Sequence, residues 1–270
     1  MSEKEYPDPY APKEIADRID NVGLVKANLA FSKTLMLAIL AGVYIGIGAI
    51  LYILVLQGQG PGQGLGQLLG FGLSRWIGGF AFSIGLIFVV IAGAELFTGN
   101  NLIVMACMDR KVTIGQLLRN WLIVYAGNFI GSVFLAGLVF YAGLLSLNGD
   151  GMAISARNIA SYKVEISFTE ALLRGVLCNI LVCLAIWLSF AARRVSGKIL
   201  AMIFPVAAFV ALGFEHSIAN MFFIPLGMLA GAEISISDMM GNLVPVTLGN
   251  MIGGGGLVAA TYYLIYIRKS

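Results

Sequence analysis

The stretch Gly213-Phe-Glu-His-Ser-Ile-Ala-Asn220 interrupts an otherwise apolar segment of membrane-crossing length. His216 is the only histidine in the protein, and Glu215 stands directly before it. Ionisable side chains are costly inside a hydrocarbon layer, so two of them at this depth predict a functional site. The stretch therefore predicts a membrane helix that is broken around a polar centre.

The composition of the whole chain identifies an integral membrane protein. The chain has 270 residues, of which 59% are hydrophobic and only 11% charged, and its mean hydropathy is +0.90. Soluble domains are much less apolar than this. Cys107, Cys178 and Cys183 show neither metal-binding nor redox spacing, so we expect them to pack as buried thiols. We expect no metal and no cofactor.

Six apolar segments are long enough to cross a membrane with a hydrocarbon core of about 30 Å. The second and fifth are each expected to form two half-helices, because polar residues interrupt them at 98–101 and 215–220. A glycine-rich segment at 58–66 is predicted to be a flexible turn. The six spans are predicted at 34–56, 76–108, 121–149, 175–192, 199–232 and 239–267.

The ends of two helices carry their own signals. Ile15, Ile19 and Val22 recur at helical spacing among charged residues, which predicts an amphipathic helix over 12–31 that lies on the membrane surface. Ser167 and Glu170 have the spacing of a capping box, which predicts the start of the fourth spanning helix. A cleavable signal peptide is not expected, because a polar segment of about thirty residues with mixed charges precedes the first apolar run.

The distribution of lysine and arginine predicts the orientation. The N-terminal segment, the loops 109–119 and 193–198, and the C-terminus carry most of these residues, and the alternate loops carry few. Both termini are therefore expected on the cytoplasmic side of the inner membrane. The predicted domains are a cytoplasmic N-terminal segment at 1–33, a six-span domain at 34–267 and a cytoplasmic tail at 268–270.

An internal repeat relates the two halves of the six-span domain, at about 34–149 and 170–267. The segment 120–131 matches 242–253, and Glu95-Leu-Phe-Thr-Gly-Asn100 matches Glu215-His-Ser-Ile-Ala-Asn220. Three spans in each repeat require opposite orientations, and paired broken helices then place a substrate path near the membrane midplane. The fold class predicted is an all-α membrane protein with two inverted three-helix repeats. Freed N–H groups at the half-helix starts favour an anion as the substrate.

The polar residues of the breaks allow more than one interpretation. His216 is either a buried histidine that holds the break by hydrogen bonds or a residue that exchanges protons in the pore. A pair of glutamates suits a cation path, but Lys26 and Lys163 at the two entrances oppose cations, unless they are ordinary surface lysines. The residues expected to support the breaks are Glu95, Glu215, Asn100, Asn220, Asn128 and Asn250.

Four motifs together resemble the formate/nitrite transporter family. They are Gly93-Ala-Glu-Leu-Phe-Thr98 and the segments 179–187, 213–221 and 242–254, and the likeness extends from about Lys26 to Arg268. The resemblance implies a homopentamer in membrane lipid, an aquaporin-like pore in each protomer, and a small monovalent anion as cargo. It does not imply a nucleic-acid partner or an enzymatic activity.

The resemblance also implies roles for individual residues. Thr98, His216 and Asn179 match the polar centre of the pore, Lys163 matches the lysine of the outer vestibule, and Lys26 matches that of the inner one. Thr98 and Asn179 are equally compatible with hydrogen bonding between helices. The residues expected to form the apolar constrictions are Phe82, Leu86, Leu96, Phe97, Val182 and Phe209, of which Leu96 is the repeat counterpart of His216.

The substrate is a hypothesis. Gly99 and Asn100 after the loop threonine are closer to nitrite-type members, whereas Phe222-Phe-Ile-Pro-Leu-Gly227 resembles the formate type, and hydrosulfide relatives share the frame. We expect formate first, passing as the neutral acid after proton transfer from His216 or water, because a bare anion loses its hydration in apolar constrictions.

Coupled secondary transport remains an alternative. An intramembrane enzyme is disfavoured, because the chain has one histidine and no Gly-x-Ser-x-Gly site.

Overall fold

The computed structural model describes residues 8–57 and 65–268, and all regular structure in these ranges is helical. The first half contains α1 (Pro12–Ala27), α2 (Phe31–Leu56), α3 (Leu65–Phe82), α4 (Ile84–Ile87), a π-helical segment (Phe88–Gly93), α5 (Phe97–Asn100), a 3-10 turn (Asn101–Ile103), α6 (Val104–Met108) and α7 (Ile114–Tyr141). The second half contains a 3-10 turn (Leu144–Ser146), α8 (Leu147–Glu165), α9 (Phe168–Ala191), α10 (Val195–Ala211), α11 (Ser217–Leu229), α12 (Ile236–Met251), a π-helical segment (Ile252–Ala259) and α13 (Ala260–Tyr266).

Five helices in the described part of the chain are long and apolar enough to cross a membrane. They are Phe31–Leu56, Leu69–Gly93, Ile114–Tyr141, Phe168–Ala191 and Ile236–Tyr266. The fifth predicted span consists instead of α10 and α11, with 17 and 13 residues, and neither reaches that length alone. The predicted turn at 58–66 lies mostly outside the described residues, as do residues 1–7 and 269–270 at the predicted ends of the chain.

Both breaks begin earlier than predicted. Extended backbone at Ala94 and Leu96 separates the π-helical segment from α5, and residues 212–216 separate α10 from α11. Thr98 and Ser217 therefore lie inside the helices that follow the breaks. The π-helical segment ends at Gly93 (φ +87°), and Gly213 (φ +73°) lies two residues after the end of α10, both in the left-handed region that glycine adopts at little cost.

The third predicted span, 121–149, is wrong at both ends. Helix α7 begins at Ile114, where Thr113 accepts a hydrogen bond from the Gln116 amide and completes a capping box. It ends at Tyr141, and Gly143 (φ +72°) follows. The sequence beyond it forms α8, a helix that was not predicted. The fourth helix begins after Ser167 with the predicted capping box to Glu170.

Helix α1 begins at Pro12 as predicted but ends at Ala27, four residues before the predicted end, and its apolar side packs on protein. Ile15 and Ile19 are buried in a cluster with Leu102, Met105 and Trp187. A helical repeat of apolar residues reports only that one side of the helix is covered, and it does not distinguish lipid from protein. This packing places Lys26, near the end of α1, beside the first break.

Two equivalent pairs of helices pack closely, α2 against α7 and α9 against α12. A Cβ atom on Gly131 would overlap the carbonyl oxygen of Ile39, and one on Gly253 would overlap that of Val176. Small residues at such crossings let backbones approach within the range of van der Waals contact. The close approach brings the side chains of α7 and α12 into reach of the two breaks.

Candidate functional site

An asparagine of α7 holds the first break open. The Oδ1 atom of Asn128 accepts a hydrogen bond of 2.9 Å from the Phe97 amide, the first N–H of α5. Its Nδ2 atom donates to the carbonyl oxygens of Ala38 at 2.8 Å and Glu95 at 2.9 Å. One buried side chain thus binds two backbone groups of the interruption, the Phe97 amide and the Glu95 carbonyl, and ties them to the Ala38 carbonyl of α2.

An asparagine of α12 makes the same three contacts at the second break. Asn250 Oδ1 accepts from the Ser217 amide at 2.9 Å, and Nδ2 donates to the carbonyl oxygens of Gly175 at 2.8 Å and Glu215 at 3.0 Å. The two halves therefore solve the same backbone problem in the same way. Asn128 and Asn250 are the pair that the sequence repeat aligned.

The carboxylate of the first break belongs to a buried polar network. Lys26 Nζ donates to Glu95 Oε1 at 2.9 Å and to Asn100 Oδ1 at 3.0 Å. Asn100 Nδ2 donates to Glu95 Oε2 at 2.6 Å and to Asn120 Oδ1 at 2.9 Å. Asn120 Nδ2 closes the network by donating to the carbonyl oxygen of Lys26 at 3.1 Å.

The second break repeats this network with one difference. Lys163 Nζ lies 3.0 Å from each carboxylate oxygen of Glu215, and Asn220 Nδ2 donates to Glu215 Oε2 at 2.6 Å and Asn242 Oδ1 at 2.8 Å. Asn242 Nδ2 donates to the carbonyl oxygen of Lys163 at 2.6 Å. Lys163 does not reach Asn220 Oδ1, which has no partner among the described residues.

These networks include residues and helices that the sequence did not connect. Asn120 and Asn242 stood in the repeat motif without a role, and both bond to a lysine that lies outside the predicted repeats. Helix α8 carries Lys163 to Glu215 as α1 carries Lys26 to Glu95. The available signal was the shared position of each lysine, near the C-terminal end of a helix that precedes a long span.

Thr98 and His216 meet between the two breaks. Thr98 Oγ1 lies 3.0 Å from His216 Nε2. His216 Nδ1 accepts a hydrogen bond of 3.1 Å from the Ala219 amide and thereby caps the start of α11. An accepting Nδ1 carries no proton, so in the neutral ring the proton is on Nε2 and is donated to the Thr98 hydroxyl oxygen. The Thr98 hydroxyl hydrogen is then free to bond elsewhere.

Asn179 lies behind Thr98 and does not hydrogen-bond to His216. Its Nδ2 atom donates to the carbonyl oxygens of Thr98 at 3.2 Å and Asn250 at 2.7 Å. The Thr98 carbonyl also receives Asn101 Nδ2 at 3.3 Å and Cys183 Sγ at 3.6 Å. Asn179 therefore fixes the backbone of Thr98, and its own Oδ1 atom has no partner among the described residues.

Two cavities adjoin this centre. The His216 cavity, about 560 Å³, reaches Lys163, Glu215 and His216. The Leu96 cavity, about 480 Å³, reaches Lys26, Glu95 and Leu96. Each cavity thus contains one lysine–glutamate pair and one member of the Leu96/His216 repeat pair. Within residues 8–57 and 65–268, no cluster of His, Cys, Asp or Glu is suited to a metal ion.

The predicted constriction residues divide into two groups. Phe82 and Phe209 line the His216 cavity with ring centroids 5.9 Å apart, and Phe209 stacks on the His216 ring at 6.0 Å. Leu96 lines the other cavity. The remaining three, Leu86, Phe97 and Val182, are buried and line neither of these cavities, and the Phe97 ring packs on Trp121 and Tyr125.

One charged residue of the His216 cavity was not predicted. Arg75 of α3 lines this cavity, and its guanidinium donates to the carbonyl oxygens of Ala211 at 2.6 Å and Val210 at 3.0 Å. In the sequence it stood alone at the start of an apolar segment, where an arginine is commonly a surface charge.

Comparison with known proteins gives consistent matches along the chain. The model of the formate/nitrite transporter family matches residues 13–264. The chain is 40% identical to the formate channel FocA of Escherichia coli K12, over 96% of this chain and 95% of FocA. Its fold is similar to a pentameric formate channel with formate bound (TM-score 0.79, 38% identity, 88% of this chain and 98% of the other). It is also similar to an FNT family ion channel (TM-score 0.82, 29% identity, 93% and 98%).

Proposed function

This chain belongs to the formate/nitrite transporter family, and we propose that it is a membrane channel that passes formate between the two cavities. The observation that carries the proposal is the hydrogen bond between Thr98 and His216, which places a polar centre between apolar walls. The relatives and the structural neighbour that are named formate channels support formate as the substrate.

The chemistry of the centre favours passage of the neutral acid. A bare anion between Phe82, Phe209 and Leu96 would lose hydration that these side chains do not replace. The Thr98 hydroxyl is the nearest free hydrogen-bond donor, and His216 Nε2–H donates to its oxygen. Because His216 Nδ1 is held by the Ala219 amide, the ring accepts a second proton only when this cap opens. Water in the cavities therefore supplies the proton, and His216 aligns the Thr98 hydroxyl that guides the acid through.

The two lysines act at short range in this proposal. Each ammonium group has three N–H donors and uses two of them within its network. The paired glutamate offsets most of the attraction that the lysine exerts at a distance. The third N–H of Lys26 and of Lys163 remains for an anion that has entered the cavity. Glu95, Glu215 and the four break asparagines hold the two half-helix starts in place.

The wider assembly follows from the same premise. We propose a homopentamer of inverted repeats in the inner membrane, with cytoplasmic termini and one pore in each protomer. Large apolar side chains on the outer surface, among them Leu122, Phe134 and Tyr141, suit contact with lipid or with neighbouring protomers. The predicted domains at 1–33, 34–267 and 268–270 then correspond to a cytoplasmic segment, the channel and a short tail.

Flux through the purified protein in liposomes tests the proposal. Uptake of formate, nitrite, hydrosulfide and chloride is compared at pH 5.5 and pH 7.5, with protein-free liposomes as the control. We expect formate flux above the control, faster at the lower pH, and little chloride flux. Equal rates for formate and chloride would contradict weak-acid passage, and no flux of any anion would reject the channel.

Nitrite is the second candidate substrate, and hydrosulfide the third. Gly99 leaves the first turn of α5 without a side chain next to Thr98, and a Cβ there would approach Ile186. The glycine after the threonine resembles the pattern of nitrite-type members. Nitrite flux that exceeds formate flux in the same assay would favour this alternative. Accumulation of the anion against its own electrochemical gradient would instead indicate a coupled transporter.

A further inference from the structure

The two cavities differ in charge. Among the described residues, those with ionisable side chains that line the Leu96 cavity are Lys26 and Glu95, and they are bonded to each other. The His216 cavity contains the equivalent pair, Lys163 and Glu215, and in addition Arg75. Within residues 8–57 and 65–268, Arg75 has no carboxylate within ion-pair distance. One cavity is therefore formally neutral, and the other has one unbalanced positive charge.

Backbone carbonyls hold this charge at the edge of the cavity. Arg75 Nε donates to Ala211 O and Nη2 donates to Val210 O, at the C-terminal end of α10. These carbonyls lie in the last turn of α10, which ends at Ala211, and Val210 O also accepts a hydrogen bond of 3.1 Å from the Gly213 amide. A guanidinium has five N–H donors, so three remain beyond these two bonds. The group is half-buried and fixed at two points, which an exposed arginine side chain would not be.

The charge of Arg75 exceeds the opposing charge of the helix end. The C-terminus of a helix carries about half a negative elementary charge. The first break has the same helix ending, with the Ala94 amide bonded to Val89 O as the Phe214 amide is bonded to Phe209 O. No arginine binds the carbonyls of this first ending within the described residues. The negative helix end is therefore compensated in the His216 cavity only.

We propose that Arg75 is the residue that concentrates the anion in the His216 cavity and makes that side of the pore selective for anions. This inference rests on the proposed function of the protein as an anion channel. Lys163 does not fill the role, because Glu215 holds it through both carboxylate oxygens. Arg75 lines the same cavity and makes no ion pair with an acidic side chain among the described residues, and low-dielectric walls increase the effect of its charge on an approaching anion.

A purely structural role for Arg75 makes a different prediction. If Arg75 only caps α10, loss of its two hydrogen bonds lowers the stability and the flux, and loss of its charge has no further effect on the flux. Arg75→Lys keeps the charge but has a single donor group, whereas Arg75→Gln keeps a donor and loses the charge. Arg157→Gln is the matched control, because Arg157 also donates to a helix-terminal carbonyl, Ala230 O at 2.9 Å, and does not line either cavity.

Formate flux in proteoliposomes at substrate concentrations far below saturation separates the two roles. At an ionic strength of about 20 mM we expect Arg75→Gln to be roughly threefold to tenfold slower than the wild type. The difference should shrink at about 300 mM, where salt screens the charge. Arg75→Lys should retain most of the wild-type rate at both ionic strengths, and Arg157→Gln should match the wild type.

Three results would overturn the proposal. They are an Arg75→Gln rate equal to that of the wild type, a loss that does not depend on ionic strength, and an equal loss in Arg75→Lys. Melting temperatures of the purified variants identify a folding defect, which would appear in both substitutions of Arg75. Absence of flux in the wild-type protein would reject the proposed function itself, whereas unchanged flux in Arg75→Gln would reject only the role of Arg75.

Discussion

The Thr98 hydroxyl lies 3.0 Å from His216 Nε2, and this hydrogen bond joins the two broken helices. Thr98 is in the first turn of α5, and His216 is the residue directly before α11. The bond therefore couples the two halves of the chain at the position where their repeat symmetry fails, because Leu96 occupies the place of the histidine in the first half. The Ala219 amide bound to Nδ1 assigns the donor role to Nε2–H and leaves the Thr98 hydroxyl hydrogen free for another acceptor.

Removal of the Thr98 hydroxyl should slow the channel. In Thr98→Val, which nearly preserves the shape, His216 Nε2–H loses its acceptor, and an unpaired buried donor costs about 1–3 kcal/mol. We expect formate flux to fall roughly tenfold or more, because the neutral acid also loses its guiding donor. Thr98→Ser restores the hydroxyl and should retain most of the flux. Equal flux in the valine and serine variants, measured in proteoliposomes, would contradict this role.

Replacement of His216 by asparagine should separate its two roles. Asparagine is a good N-cap residue, so His216→Asn can still accept the Ala219 amide and keep α11 in place. The asparagine side chain does not titrate near neutral pH, and it is shorter than histidine, so it does not reach the Thr98 hydroxyl as closely. We expect a melting temperature within a few degrees of the wild type and a formate flux that is reduced about tenfold at every pH.

The comparison variant for this prediction is His216→Ala, which removes both the cap and the donor. It should lose stability by about 1 kcal/mol in addition to flux, as cap removal commonly does. If the formate flux of His216→Asn equals that of the wild type at pH 5.5 and pH 7.5, the imidazole does not align Thr98 for transport.

The existence of the two breaks could be predicted from the sequence, but their positions could not. Glu215 and His216 stand out in an apolar run, which is sufficient to predict an interruption. Where each new helix starts depends on Asn128 and Asn250, which lie about thirty residues further along the chain and bind the first free amides. The glycines at 93 and 213 were the local signals of the helix ends.

Helix α8 and the contacts of the lysines with the glutamates could not be predicted from the sequence, for a physical reason. The buried side of α8 consists mainly of Met152, Ala153, Ala156 and Ala160, and alanine contrasts too little with polar neighbours to reveal a helical period. Without α8, Lys163 had no predicted route to Glu215. Arg75 was missed because its acceptors are backbone carbonyls, which every residue has and no sequence pattern marks.

The Lys163–Glu215 pair should contribute more to stability than the Lys26–Glu95 pair. The Lys163 side chain is 11% exposed and that of Lys26 is 27% exposed, so water screens the second pair more. Lys163→Met leaves a buried carboxylate without its cation, and we expect a loss of about 3–5 kcal/mol in the free energy of unfolding. Lys26→Met should lose less than half of this amount.

A double-mutant cycle in detergent checks that the effect belongs to the pair. Lys163→Met with Glu215→Gln removes both charges, so its destabilisation should be smaller than the sum of the two single variants. Additive losses would show that Lys163 and Glu215 stabilise the fold independently of each other. The same cycle on Lys26 and Glu95 provides the matched control.

A second ion pair fastens α1 to the loop after the first broken helix. Asp20 is fully buried and is bonded to Lys111 through one carboxylate oxygen, while its other oxygen has no partner among the described residues. Burial raises the pKa of the Asp20 carboxyl above its usual range even beside Lys111. The hydrogen bond to Asp20 raises the pKa of the Lys111 ammonium. At neutral pH the docked helix therefore carries a buried charge that depends on Lys111.

Loss of Lys111 should make the docking of α1 dependent on pH. In Lys111→Met the Asp20 carboxyl loses the group that lowers its pKa, so the docked state binds a proton more readily than the undocked state. Docking is then strongest below the ordinary aspartate pKa of about 3.9 and weakens as the pH rises toward the raised pKa of the docked state. We expect amide protection factors in α1, measured by hydrogen exchange, to fall roughly tenfold or more between pH 5 and pH 8, since one unit of pKa difference is a factor of ten. Lys111→Met with Asp20→Asn removes the buried titrating carboxyl and should show nearly equal protection at both pH values. Equal protection in Lys111→Met itself would show that the apolar contacts of Ile15 and Ile19 hold α1 without the ion pair.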